Sequence, residues 1–454
     1  MRTRRHPGHP GASGHPLSVM AAGRLAGGIT IAAALSACAA THGQAGGTGG
    51  VGDDGATGST GGGGGDAGGV PPDPNFPAGL WSASVLGIPG NELVAPAGPI
   101  LNTYRTFVRP RAAGAAQWVF WTSNATDSTF GPGVPHPNQT GAAWRIEAAY
   151  AGDGGTDRTG VVAGTAIPLT FGGGASKDVQ PGERFWSDPI TLDLPAGHSL
   201  VFTWALSTSV GGPSIPGTSA PFLTSYIAAG KNLAAQDANT GFGASTDLLV
   251  APQMFASDRP ITSRLCFLGD SITQGIGSTR DSYGYWVAKI ADGLGPDVGV
   301  WNLGSGWARA ADAASDGYWL AKAKQCSEVA VILGINDILN SSRTADQILA
   351  DLTTVLGALK AHDPATRTIL FTVPTFNLGG GNYATWKQVN DTIRAAPLPG
   401  ADRVFDIAAV ESRPAPDDGQ LMVGYSNGDG HPNDTAGTAI ADAFLAWYAA
   451  PPPQ

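Results

Sequence analysis

The chain has 454 residues, enough for more than one hydrophobic core, with 42% hydrophobic and 14% charged residues. Its 26 basic and 36 acidic residues give a net charge of −10; the first 37 residues hold four of the basic ones and no acid, so the rest carries 22 − 36 = −14. This balance excludes the basic footprint of a nucleic-acid-binding protein.

Arg2, Arg4, Arg5 and Arg24 precede an apolar run over 25–35. The run is too short to span a bilayer and suits the central segment of a signal peptide. It ends in Leu35-Ser36-Ala37-Cys38, which resembles the bacterial lipobox. That resemblance implies a signal peptide over 1–37, acylation of Cys38, and an exported lipoprotein facing the cell surface or periplasm and held to a membrane by its N-terminal lipid. Residues 42–73 are mostly glycine with almost no large apolar side chain. Such a segment cannot repay its ordering entropy, so 38–78 reads as a flexible tether.

Over 79–260, short apolar or alternating runs at 118–121, 144–150, 190–194 and 199–206 are broken by Gly and Pro. The pattern predicts an all-β sandwich, with Trp118, Trp121, Trp144 and Trp204 as core rather than a ligand platform. From 261 to 454 the rhythm changes. Strand candidates at 265–268, 300–303, 329–333, 368–373 and 403–407 alternate with helix candidates at 283–294, 310–324, 344–362, 384–396 and 436–448. This alternation predicts an α/β domain, a flavodoxin-like doubly wound parallel sheet whose site lies beyond the carboxyl ends of the strands.

Export would permit a disulfide between Cys266 and Cys326. Aligning the first and third α/β strands sets Cys266 level with Val331, leaving Cys326 roughly 16 Å away, so two buried free thiols are expected.

The loops at those strand ends carry the chemistry. The first strand closes in Gly269-Asp270-Ser271-Ile272-Thr273, a hydroxyl at a strand-to-helix turn, which suits either a helix cap or a nucleophile. Asn302-Leu303-Gly304-Ser305-Gly306 follows the second, and Gly334-Ile335-Asn336-Asp337 the third. Main-chain N–H groups at such glycines, with the Asn336 amide and the Ser271 N–H, could converge on a developing oxyanion; turn geometry and an Asx turn are the plain alternatives. Gly428-Asp429-Gly430-His431-Pro432 precedes the last helix candidate. Pro432 restricts His431 to an extended backbone, and Asp429 is near enough to orient its ring. Of eight histidines, His431 is the one placed to act as a base in the α/β domain: four lie in the signal or tether, His136 and His198 in the β region, and His362 at a helix end. No P-loop lysine, dinucleotide fingerprint or metal-spaced His/Cys set appears, so no metal or organic cofactor is expected.

Taken together, these four blocks resemble the SGNH (GDSL) hydrolase superfamily over 264–448. The resemblance implies a carboxylic ester hydrolase with Ser271 as nucleophile and oxyanion donor, Asn336 as side-chain donor and His431 as base. Two departures matter. The family's oxyanion glycine lies five residues beyond the Asn of the second block, whereas Gly306 lies four beyond Asn302; the donor is assigned to Gly306, with Gly304 as alternative. The last block is one residue short, so Asp429 orients His431 or a backbone carbonyl does. Tyr104-Arg105-Thr106-Phe107-Val108-Arg109, Thr122-Ser123-Asn124-Ala125 and Trp186-Ser187-Asp188-Pro189 resemble the N-terminal β domain of one group of secreted bacterial SGNH proteins.

The implied reaction is ester hydrolysis through a serine acyl-enzyme. The expected substrate is a short-acyl ester, an acetylated carbohydrate first. A lysophospholipase-like lipid esterase and a non-catalytic glycan-binding lipoprotein are the rival readings.

Overall fold

The structure, a computed structural model, describes residues 79–131 and 136–451. The expected lipidation site Cys38, signal peptide and tether fall outside them.

Residues 80–257 build antiparallel sheets. In one, Gly114–Ser123 lies between Met254–Ser257 on one side and Arg184–Trp186 and Ile190–Leu194 on the other. In a second, Leu200–Thr208 lies between Ile100–Val108 and Trp144–Asp153. The sheets face each other through aromatic rings, with Phe202 4.9 Å from Phe120 and 5.8 Å from Phe255. Side chains alternate across a strand. Trp118 and Phe120 therefore enter this inner core, while Val119 and Trp121 join a second core shared with the α/β region. Trp121 and Trp81 both meet Trp301 edge-on at 6.0 Å. Trp118, Trp121, Trp144 and Trp204 are all interior, as their placement in apolar strand runs predicts.

The α/β region holds five parallel strands: β1 (Ser263–Gly269), β2 (Val298–Asn302), β3 (Glu328–Ile332), β4 (Arg367–Phe371) and β5 (Arg403–Phe405). Their order is β2-β1-β3-β4-β5, the flavodoxin-like arrangement that the alternation predicts. β1 is apolar from Leu265 to Leu268 because helices or the β region cover both faces. The helices are α1 (Ser271–Gln274), α2 (Trp286–Leu294), α3 (Ala310–Ala314), α4 (Tyr318–Ala323), α5 (Ile335–Ser341), α6 (Ala345–His362), α7 (Gly380–Ala395), α8 (Ile407–Glu411) and α9 (Asp434–Ala449). The helix expected over 310–324 is broken between α3 and α4, where Asp316 takes a left-handed φ of 51°. At α6, Thr344 and Gln347 form a capping box that fixes the start.

The two cysteines overturn the expectation of free thiols. Cys266 and Cys326 form a disulfide, with Cα atoms 6.0 Å apart. The alignment behind that expectation was displaced by two positions: Cys266 registers with Val329, and Leu268 with Val331. Cys326 also does not continue the strand upstream. It sits in the turn that follows α4, where its N–H bonds Ala323 O at 3.0 Å, and this turn brings it back over β1.

The bridge closes a loop spanning 60 positions. Its removal in Cys326→Ala should cost about 3 kcal/mol. The check is the denaturant midpoint of the oxidised protein beside that of the variant, with the wild type under reductant moving to the variant's value.

Candidate functional site

Ser271 opens α1 directly after β1. Asp270 caps this helix, its Oδ1 accepting the Ile272 N–H at 2.9 Å. The cap role that the sequence allowed Ser271 thus belongs to its neighbour. As the first residue of a helix, Ser271 has a backbone N–H with no intrahelical acceptor, beside a half-exposed hydroxyl. The Ser271 hydroxyl donates to His431 Nε2 at 2.9 Å, across 160 residues of sequence.

Two glycines make this approach possible. A Cβ at Gly277 would lie 2.6 Å from the His431 Cβ, and one at Gly430 would lie 2.8 Å from the Phe376 ring; both glycines have positive φ. Phe376 meets the His431 ring edge to face at 4.9 Å. Loop 425–433 is tied down by an Asn427 Nδ2 bond to Gly277 O and by Asn433, which caps α9.

Asp429 is the acid beside His431. Its Oδ1 accepts the His431 backbone N–H at 3.0 Å, and its Oδ2 lies 3.3 Å from Nδ1. Among the described residues Nδ1 has no partner in line for a hydrogen bond, so the Oδ2 approach is a close contact rather than an aligned bond. The His431 side chain and N–H hold the Asp429 carboxyl down to about 2. For Nε2 to accept the serine proton, the ring must carry its own proton on Nδ1, facing Asp429.

Asn336, on α5, donates from Nδ2 to Ala308 O at 3.0 Å and accepts from Asn340 at 2.9 Å, so it is not a self-bonded turn. Its second Nδ2 hydrogen remains for the cleft that Asn336 lines with Ser271 and His431.

The expected oxyanion glycines do not offer free donors. The Gly306 N–H donates to Gln274 Oε1 at 3.0 Å, and the Gly304 N–H to Asn302 Oδ1 at 2.9 Å. Both are spent because the buried loop after β2 has no helix or strand to satisfy it. Gln274 lies one helical turn after Ser271 and Trp307 five residues beyond Asn302, spacings that could have marked both; Phe376 carries no such sequence signal.

The cleft has a volume of about 330 Å³. Ile276, Trp307, Ile335, Leu339 and Phe376 form its apolar walls, with Pro221 and Ser219 contributed by the β region. Trp307 is 37% exposed. Among the described residues, no group of three or more His, Cys, Asp or Glu side chains converges to hold a metal ion.

Beneath Ser271 lie two buried acids. Burial raises Asp270 to about 7, the Ile272 N–H opposing and the Asp337 charge adding to the rise. Glu411, at the end of α8, is raised to about 8 by burial; the Thr375 N–H opposes this and the Asp270 charge adds to it. Among the described residues, Oδ2 of Asp270 and Oε2 of Glu411 have no hydrogen-bond partner. A carboxyl raised by folding stabilises most below its unfolded value and loses that contribution as pH rises through its folded value. Thermal stability should therefore fall between pH 4.5 and 8. Glu411→Gln should flatten that fall and raise Tm at pH 8.5 by several degrees in a calorimetric series.

No curated protein matches the chain in sequence. Among solved structures, a family two carbohydrate esterase from Clostridium thermocellum is similar at 13% identity, covering 80% of this chain and 97% of its own, with a TM-score of 0.34. A family 3 carbohydrate esterase from Talaromyces cellulolyticus (19%, 41% and 96%, 0.31) and a G-D-S-L lipolytic protein from Desulfitobacterium hafniense (18%, 41% and 99%, 0.32) are also similar. The model of the GDSL-like lipase/acylhydrolase family matches residues 267–437. That segment, which holds Ser271, Asn336 and His431, is a GDSL-like lipase/acylhydrolase domain, and its activity is that of a carboxylic ester hydrolase.

Proposed function

We propose that Ser271 is the nucleophile of a serine esterase acting on short-acyl esters of carbohydrates. The observation that carries this reading is the 2.9 Å bond from the Ser271 hydroxyl to His431 Nε2 inside a walled cleft. Ser271 Oγ attacks the ester carbonyl while His431 takes its proton. The tetrahedral oxyanion collapses to an acyl-serine as His431 returns the proton to the leaving alkoxide, and water repeats the cycle. Ser271 N–H and the free Asn336 amide hydrogen face the developing negative charge. Asp429 holds the imidazolium from one side and remains ionised at any working pH.

Trp307 supports the carbohydrate reading. Its indole is exposed at the edge of the cleft, where a sugar ring could lie on its face while a small acyl group reaches Ser271. The apolar walls support the second reading, a lipid esterase with a longer acyl chain. Export and acylation at Cys38 belong to the same proposal, because an anchored enzyme meets polymer or lipid outside the cytoplasm; the mature protein should begin at Cys38.

Ser271→Ala should abolish hydrolysis of p-nitrophenyl acetate, and an inactive wild type would instead favour a glycan-binding protein. His431→Ala should cost about 10⁴-fold in kcat, and Asp429→Ala roughly one to two orders less, since an out-of-line, exposed acid only orients its histidine. Equal losses would make Asp429 a full triad member. Rates on acetylated xylan and acetyl sugars beside long-acyl esters separate the substrate readings; activity confined to long chains defeats the carbohydrate one.

A further inference from the structure

The Gly306 peptide is held at both ends. Its N–H donates to Gln274 Oε1, and its carbonyl accepts from Asn91 Nδ2 at 3.3 Å. The Gln274 amide cannot turn over, because its Nε2 donates to Thr218 Oγ1 at 2.9 Å, Ser219 O at 3.1 Å and Gly87 O at 3.4 Å. Asn91, Gly87, Thr218 and Ser219 all belong to the β region. Asn91 and Gln274 are both fully buried.

A trans peptide is planar, so the N–H of the next residue points opposite to the carbonyl. Asn91 draws the Gly306 carbonyl toward the β region and is not among the residues that line the cleft, whereas Gly306 and Trp307 line it beside Ser271 and Asn336. The Trp307 N–H is thereby turned away from Asn91, and it meets no acceptor among the described residues. Trp307 also holds a left-handed φ of 67°, costly for a bulky residue and sustained only where its surroundings impose it.

We infer that the Trp307 main-chain N–H, rather than that of Gly306 or Gly304, is the second backbone donor to the oxyanion, and that Asn91 is the β-region residue that positions it. This rests on the esterase reading of Ser271. The β region then forms part of the catalytic site, and the donor set is the N–H of Ser271, the N–H of Trp307 and the Asn336 amide.

Incorporating indole-3-lactic acid at 307 replaces the amide by an ester, deleting only that N–H and keeping the indole. With p-nitrophenyl acetate, kcat should fall about 10²- to 10³-fold while KM stays within about twofold. Asn91→Ala should lower kcat about tenfold at unchanged KM and weaken a boronic acid inhibitor by the same factor, because its tetrahedral adduct uses the same donors. An ester variant with wild-type kcat overturns the assignment, as does an Asn91→Ala effect confined to KM. Should Asn91→Ala fail to fold, the ester variant, which alters no packing, decides alone. A wild type without Ser271-dependent turnover would overturn the esterase reading and this one together, whereas an unimpaired ester variant of an active enzyme overturns only this one.

Discussion

The loop that leaves β2 must bury its polar backbone without forming a helix or a strand before α3. A buried N–H or C=O without a partner costs about as much as a lost hydrogen bond, so each group of this loop has to find an acceptor or donor on another part of the chain. Most backbone partners lie in the α/β region, at Phe267, Gly269, Gln274, Asn302, Trp319 and Asn336, and the β region adds one backbone bond and several side-chain contacts. Asn91 takes the Gly306 carbonyl, Ser128 pairs with Ser305, and Thr129 donates to Asp312 through both N–H and hydroxyl. Lys322 on α4, buried, reaches Asp127 at 2.6 Å and Gln253 at 2.7 Å. Breaking such a buried pair leaves an uncompensated charge, so the two regions are joined by contacts that cannot be given up singly.

Tryptophans of the β region face inward at the same junction. Trp81 and Trp121 cover Trp301 on the edge strand β2, and the sheet they belong to has apolar residues on both faces. A freely hinged glycan-binding module would keep one face wet. Here the face that could have been wet closes the end of the α/β sheet, and Ser219 and Pro221 continue past it into the cleft wall.

The sequence made the sheet order, the strand ends and the pairing of Ser271 with His431 legible, because strand and helix alternation leaves few topologies and places the active loops at one end. It hid what depends on register or on distant partners. The two-position slip between β1 and β3, together with the turn after α4 that carries Cys326 back over β1, separated Cys266 from Cys326 on paper, since apolar runs such as 329–333 look alike at neighbouring alignments. The committed N–H groups of Gly304 and Gly306 were equally invisible: a glycine announces a turn, but whether its N–H is free depends on Asn302 and Gln274. Asn91 lies 215 positions from the carbonyl it holds, and no local pattern connects them.

Strain and burial gather around one residue, Ser271. Beneath it, Asp270 and Glu411 are acids whose burial favours the neutral form; beside it, Trp307 holds a backbone conformation that costs it free energy. Neither feature helps the chain fold, and both are tolerated because the apolar cores on either side of the sheet exceed what the site loses. The strained Trp307 backbone, unlike the buried acids, fits the proposed donor set, since electrostatic stabilisation of an oxyanion requires donors fixed in advance. Donors must already point at the developing charge before the substrate arrives, and holding them there unpaired is a cost met during folding instead of during the reaction.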